Sequence, residues 1–457
     1  MIRSTACLIL ALASVVAHGQ TWQAASARVE ITPKDFIWMA GYGGRNEPAQ
    51  GKLTPIWAKA LALRDANQKT AVLITLDLVG IHRDTSEKIC SQIREKHGLE
   101  RDQIAINCSH THTGPVVGQN LAGLHYYLLP PEQQQAIDAY ETSLVKDIVA
   151  IVDSAITNLQ PSHLTWGNGH CTVAVNRREN VQSDVPELRN QGLLKGPSDH
   201  DVPVLLVRDA TQNLTTIVFG YACHATTLSI NEWSGDYPGF AQMELEQRYP
   251  NANAMFWAGC GADQNPLPRR TVELAESYGE RLAGAVTEVV EGFVRPVAPK
   301  LTTHFAEIDL PLVDVPSLEA MQDLRGSTSN KYEQGRIDYL LSRLGDDKQI
   351  QTTYPYAVQA WGLGDDIRFV FLGGEVVVDY ALRLKATATE APDDQPSMIW
   401  VAGYSNDVMA YIPSRRVLNE GGYEGGGSNV YYGLPGLWSE TIENTIANKV
   451  AGWIAKP

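Results

Sequence analysis

Basic side chains are in the minority in this chain: 37 Lys and Arg stand against 52 Asp and Glu, a formal charge of −15. A surface of that sign does not displace counterions from phosphates, which excludes a nucleic-acid clamp. It also gives no electrostatic grip on an anionic lipid surface. Cysteine is sparse as well. Six cysteines are scattered over 457 residues and none forms a Cys-x-x-Cys pair. That spacing argues against thiolate zinc sites, redox dithiols and the disulfide frameworks of small secreted domains, so buried, inert thiols are expected. No later apolar run reaches the ~20 residues that cross a bilayer, and no membrane span is expected. Also missing are a Gly-x-Ser-x-Gly elbow, a P-loop, a complete Gly-x-Gly-x-x-Gly and a His-Glu-x-x-His helix. Conventional serine hydrolases, nucleotide enzymes and zincins thereby lose their main sequence support.

What is there is a chain with 44% hydrophobic and 19% charged residues, a folded composition. At its start Arg3 precedes an apolar stretch from Ala6 to Val16, followed by Ala17-His18-Gly19. A positive end, a short apolar run and small residues at the cleavage positions occur in signal-peptide order. Residues 1–19 are therefore expected to be a signal peptide. The product, beginning at Gln20, is expected to be exported, periplasmic or secreted. Asn107-Cys108-Ser109 and Asn213-Leu214-Thr215 are glycosylation sequons.

Hydrophobic patterning alternates strands with helices. Strands are expected at Thr70–Val79, Gln103–Asn107, Val202–Val207, Leu214–Ala222, Ala252–Trp257, Ile367–Leu372 and Met398–Ala402. Helices are expected at Thr85–His97, with Asp84 and Glu87 at capping-box spacing, and at Gln133–Asn158, Phe240–Arg248 and Thr271–Phe293. A polar, peripheral helical section spans Pro316–Gln349, and Trp438–Ile454 closes the chain. The expectation is an α/β fold with mixed, largely buried sheets flanked by helices, in a single domain over residues 20–457. Gly421–Gly427 reads as an active loop or a plain turn. Nothing in the sequence speaks to the oligomeric state.

Polar, chemically able residues fall where strands end: Ser109-His110-Thr111-His112, Cys223-His224, Gly261-Ala262-Asp263-Gln264-Asn265-Pro266, Gly373-Gly374-Glu375 and Tyr404-Ser405-Asn406-Asp407. Ligands bind beyond the carboxyl ends of strands in open α/β sheets, so a shared cleft is expected. His110 and His112, two apart, put both rings on one face of an extended segment. Two imidazoles there suit a metal, or a ligand plus a proton carrier, or simply two satisfied polar groups in a turn. Glu375 suits a ligand or an anion facing a helix dipole. His, His and Glu together can hold a catalytic zinc with one position open. Trp233, Trp257, Trp361, Tyr126 and Tyr127 near these blocks suit either a wall for a lipid chain or sugar ring, or core packing.

The Ser-His-Thr-His-Thr-Gly-Pro block resembles the His-Thr-His-Ser-Gly-Pro signature of neutral (non-lysosomal) ceramidases. Asn176-Arg177, Ala222-Cys223-His224-Ala225-Thr226-Thr227, Ser234-Gly235-Asp236, Asn406 to Pro413 and Gly422-Tyr423-Glu424-Gly425 resemble that family's other blocks, in family order. The resemblance implies Zn²⁺ held by His110, His224, Glu375 and Tyr411, with His112, Arg177 and Tyr423 around the substrate carbonyl. It implies a zinc-bound hydroxide attacking an amide (N-acyl) or related acyl bond. The family's Gly-Asp-x-Ser-Pro-Asn block is altered here, and Asp263 is aligned with its serine; the family's C-terminal β-sandwich is not expected. Asp263 brings charge and accepts hydrogen bonds only, so it suits a base or a turn-stabilising side chain. A small-molecule, lipid or glycan substrate fits. Two other readings stand beside the first. One is a zinc hydrolase of a sugar ester or glycoside using Asp263 with Asp236 or Glu375. The other is a non-catalytic, metal-stabilised binding protein.

Overall fold

The computed structural model describes residues 21–346, 348–389 and 398–454; the expected signal peptide lies outside them. Two sheets organise the chain. The larger runs Asn253–Ala258, Leu214–Tyr221, Asp201–Asp209, Gln160–His170, Trp22–Glu30, Trp57–Arg64, Thr70–Leu76, Ile104–Cys108, with Arg295–Pro296 beside Gln160–His170. Its middle is antiparallel, and the outermost pair at each end is parallel. The smaller runs Met398–Ala402, Ile367–Leu372, Thr353–Leu363, Leu301–Val313, Leu437–Trp438. The mixed, buried α/β architecture is the one the patterning predicts.

Burial on both faces explains why several strands read as continuous apolar runs. Along Trp57–Arg64 the side chains of Ala58, Ala60 and Ala62 enter the core beneath the helices, while Leu61 and Leu63 enter a second core between the sheets. Period-2 alternation persists, but both directions are apolar. The second core holds Trp22, Trp166, Trp257, Trp361, Phe369, Phe371 and Trp400. Trp257 and Trp361 are therefore core residues, and Trp233 packs with Ile37 and Met39. None of the three offers a platform to a ligand, because the inter-sheet space takes up large apolar groups first. Tyr126 and Tyr127 spend their hydroxyls on Asp138 and Ser342.

Local details differ from the sequence expectation. The helix Arg83–His97 is capped by His82, whose Nδ1 accepts from the Asp84 amide, so Asp84 does not act as the cap of a box. The polar section breaks into two helices, Leu318–Ser327 and Lys331–Ser342, because Ser317 and Asn330 each cap a start. The helix expected at Phe240 begins at Asp236. Besides several strands of two or three residues, five longer ones were not anticipated, at Trp22–Glu30, Trp57–Arg64, Gln160–His170, Leu301–Val313 and Thr353–Leu363; most are rich in Ala, Gly and polar residues and owe their pairing to neighbours. All five described cysteines are free and buried. Among the described residues no helix is long and apolar enough to cross a membrane.

The two ends of the large sheet meet the small one through Asn107. Its Oδ1 accepts from the Ala258 amide (2.8 Å), and its Nδ2 donates to Gly403 O (2.7 Å) and Ser405 Oγ (3.1 Å). Wholly buried, Asn107 is no glycan acceptor, whereas Asn213 is exposed. This junction brings the loops after Ile104–Cys108, Leu214–Tyr221, Asn253–Ala258, Ile367–Leu372 and Met398–Ala402 together.

Candidate metal centre

His110 follows Ile104–Cys108 with a left-handed backbone, φ 62°, uncommon for a non-glycine residue. Its amide donates to Leu78 O (2.9 Å), and its Nδ1 lies 2.5 Å from Val79 O. His224 Nδ1 likewise lies 2.8 Å from Gly261 O. A carbonyl can only accept, so both Nδ1 atoms carry the proton and both Nε2 atoms present lone pairs. Tyr404 stacks on the His110 ring at 4.4 Å.

Glu375 reaches the same point from the other sheet. It belongs to a two-residue strand, Glu375–Val376, parallel to Tyr411–Ile412, with Glu375 opposite Tyr411. It does not face a helix dipole as an N-terminal charge, since the helix that follows starts at Val378. Its Oε2 lies 3.1 Å from His110 Nε2 and 3.0 Å from His224 Nε2. Yet no N–H is directed at Oε2, which is buried without a hydrogen bond. His112 adds a third imidazole, its Nε2 3.1 Å from His110 Nε2. The ligand atoms of His110, His112 and His224 lie within 4.8 Å of one another. Several electron-pair donors crowded around one buried point, with an orphaned carboxylate oxygen among them, fit a divalent cation.

Charge follows the same logic. Burial, above all, lowers His224 to about 4 and keeps the ring neutral. Burial works against the Glu375 carboxylate, and positive charge at the adjoining imidazoles, His110 first, holds it well below the usual range; a bound cation would supply that charge in their place. A neutral imidazole, as at His224, and an ionised carboxylate are the states a metal requires.

Tyr411 sits at the margin of this donor set. Its hydroxyl is 3.4 Å from His224 Nε2 and accepts from Arg177 Nη2 at 3.1 Å. Arg177 is locked by three partners: Glu424 Oε1 (2.8 Å), Asn265 Oδ1 (3.3 Å) and Tyr411. Tyr423 stands at the rim, 48% exposed, with its ring 5.2 Å from Tyr411. Asp263 is fully buried behind the centre. Its Oδ1 accepts from the Val378 amide (2.9 Å), and its Oδ2 from Asn176 Nδ2 (3.2 Å). Burial raises its pKa to about 6.

Tyr432 and Tyr42 had no signal in the sequence, and Tyr404 and Asn265 stand in strand-end blocks without a role assigned to them. Tyr432 donates its hydroxyl to Glu375 Oε1, Tyr404 stacks on His110, Asn265 holds Arg177, and Tyr42 packs on His112 at 4.7 Å. They come from distant segments, and only the fold juxtaposes them. Asn265 lies two residues from Asp263 in a block already singled out, so proximity in sequence was the one available hint. Supporting groups of this kind orient ligands, and removing one typically costs roughly 10–100-fold in metal affinity. Tyr432→Phe is expected to weaken binding of a divalent metal by about that factor, measured by competition with a chromophoric chelator. Unchanged affinity would show that the hydroxyl does not orient the carboxylate.

Residues 27–294, over half of the chain, match the family profile described as neutral/alkaline non-lysosomal ceramidase, N-terminal. The chain belongs to that family. Among solved structures it is similar to the neutral ceramidase from Pseudomonas aeruginosa, at 19% identity and a TM-score of 0.71, covering 94% of this chain and 73% of that one. It is equally similar to a ceramidase complexed with C2, at 18% identity and a TM-score of 0.71, covering 94% and 74%. At these identities the structural likeness speaks for the fold.

Proposed function

We propose that this chain is an exported, zinc-dependent hydrolase that cleaves an amide (N-acyl) or related acyl bond. The observation that carries the reading is the meeting of His110, His112 and His224 nitrogens with an orphaned Glu375 oxygen, both Nδ1 positions being locked on carbonyls. Family membership supports the hydrolytic class. Export rests on Arg3, the apolar run to Val16 and Ala17-His18-Gly19.

His110, His224 and Glu375 would hold the zinc, with Tyr411 at the margin. When bound, zinc supplies Lewis acidity and brings the pKa of a water toward ~7. The protein's own groups do the rest. His112, its Nε2 beside His110 Nε2, takes a proton from the attacking water and returns it to the leaving amine or alcohol. Tyr423, whose hydroxyl has no protein partner among the described residues, donates to the oxygen on which charge develops. Arg177 cannot swing away from its three partners, so it orients a polar part of the substrate without reorganising.

The geometry favours acyl chemistry over the glycoside alternative. A glycosidase needs two carboxylates free to flank the bond. Asp263 is engaged by Val378 N and Asn176, and Asp236 by the amides of Thr227, Leu228 and Tyr237. Beside Arg177 and Tyr423 lies an open cleft of about 590 Å³ lined chiefly by polar side chains, including Arg178, Asn180, Arg269 and Glu420. Its polarity suits a substrate with a polar portion next to the scissile bond.

The test joins metal analysis to a substrate panel. Purified protein is expected to carry one zinc per chain and to hydrolyse at least one N-acyl amide or acyl ester. Chelation should abolish turnover, and zinc should restore it. Turnover that survives complete zinc removal would overturn the metal mechanism, and activity confined to glycosides would overturn the acyl reading.

A further inference from the structure

Arginines gather at the mouth of the metal centre without carboxylates to match them. Tyr42, packed on the His112 ring, has two guanidiniums beside it: Arg45 stands 5.4 Å from its ring centre and Arg270 4.9 Å. Arg270 also donates to the Tyr42 hydroxyl at 2.7 Å. Arg45 donates to the carbonyls of His112 (2.9 Å) and Ile230 (3.0 Å) and to Asn231 Oδ1, while its Nε is buried with no partner. Arg269, which lines the open cleft, donates to Gln182 Oε1 (3.1 Å) and Thr226 Oγ1 (3.2 Å). Among the described residues none of these three arginines forms an ion pair, whereas half of the described arginines do.

The nearby anions are committed elsewhere. Asp236 is fully buried, and its carboxylate accepts from three backbone amides. Glu47 reaches Arg45 only through Asn231. Glu420 and Glu424 are paired with Arg178 and Arg177. A protein of net charge −15 thus concentrates unmatched positive charge beside its centre. The arrangement is costly. Burial lowers Arg45 and Arg269 to about 10, with Arg270 repelling both. Arg270 also has a left-handed backbone, φ 99°, in which its amide donates to Thr227 O at 2.6 Å. Strain of this kind persists at binding sites, where the surrounding structure over-determines it.

We propose that Arg45, Arg269 and Arg270 form a subsite for an oxyanion, such as a carboxylate or sulfate, carried by the substrate next to its acyl bond. Guanidinium forks match such groups and bind them through charge-assisted hydrogen bonds. The proposal narrows the substrate class of the hydrolase reading and rests on it for placing the bond at the centre. It explains how an acidic protein draws an acidic substrate: the local field at the cleft has the opposite sign to the net charge.

The test uses a ligand pair that requires no turnover. Wild-type zinc-loaded protein is titrated calorimetrically with benzenesulfonate and with its neutral isostere, methyl phenyl sulfone. Charge-assisted contacts predict that the sulfonate binds at least about 10-fold tighter, and that added salt weakens the advantage. In Arg269→Gln/Arg270→Gln the ratio should fall toward one, and the corresponding double lysine variant should restore part of it. Equal affinities in the wild type, or an undiminished ratio in the glutamine variant, would overturn the subsite. A parallel comparison of N-acyl amino acids with their uncharged amides should show the same ratio in kcat/KM. If no acyl substrate is hydrolysed while the sulfonate preference holds, the hydrolase reading fails and the subsite stands. Hydrolysis of neutral substrates without any sulfonate preference would remove the subsite and leave the hydrolase reading standing.

Discussion

With Glu375 replaced by glutamine, the protein is expected to lose its zinc and at least ~10³-fold in turnover, the several kcal/mol that a Lewis acid supplies. The carboxylate oxygen lies 3.0–3.1 Å from two imidazole nitrogens that present lone pairs. Without a cation these electron pairs repel. An amide at that position would place N–H groups against the lone pairs and relieve the repulsion. Glu375→Gln should therefore fold well, and its melting temperature should not respond to a chelator. The wild type should respond strongly, since a ligand at ~1,000 times its Kd stabilises by about 4 kcal/mol. Elemental analysis and thermal melts with and without chelator read out both effects. A variant that keeps stoichiometric zinc would show that Glu375 is no ligand. One that merely unfolds would show that the carboxylate has a structural task.

The second large effect is expected at Asp263, and it separates a positioning role from a catalytic one. This carboxylate caps the helix Val378–Thr389 and holds Asn176, next to Arg177; Glu375 lies three residues before the capped amide. Asp263→Ala would remove a cap worth ~1 kcal/mol and leave buried donors unpaired at ~1–3 kcal/mol more. We expect about 2–4 kcal/mol of destabilisation and weaker zinc binding through a displaced Glu375.

The pH dependence has a definite sign. Burial raises the folded pKa of Asp263 from 3.8 to about 6. Between those values the native state holds a proton that the unfolded chain releases, so this contribution is complete below pH ~4 and is lost as pH rises through ~6. A difference of about two pH units corresponds to roughly 3 kcal/mol. Asp263→Asn keeps an acceptor for Val378 and cannot ionise. Its stability should lack this fall between pH ~4 and ~6, and it should hold zinc and substantial activity at neutral pH. A variant with intact zinc, intact stability and a roughly 10²–10⁴-fold loss of kcat would instead make Asp263 an acid or base.

How much was legible follows from where each feature is encoded. The strands that feed the centre were readable, because their both-face burial leaves unbroken apolar runs such as Thr70–Leu76. The proposed donors His110, His224 and Glu375, and the proposed proton carrier His112, stood out because each follows closely on such a run. Strands rich in Ala and polar residues, such as Trp22–Glu30, were missed, since their pairing depends on neighbours rather than on propensity. Trp257 was ambiguous for a related reason: an indole in sequence has no address until Phe369 and Trp400 pack against it.

The sequence by itself determined the α/β class, the family and the local blocks, because strand periodicity and short motifs are written in adjacent residues. The scarcity of basic side chains is equally a property of the chain, and no fold changes a net charge of −15. Only the tertiary structure decided which side chains share a point in space. It turned Asp263 onto a helix amide, brought Tyr432 to Glu375 across 57 positions, and set Arg45 and Arg270, 225 apart in the chain, on the same tyrosine. Hydrogen bonds and ring contacts are lost within a few ångströms of separation, and sequence separation carries no record of that distance.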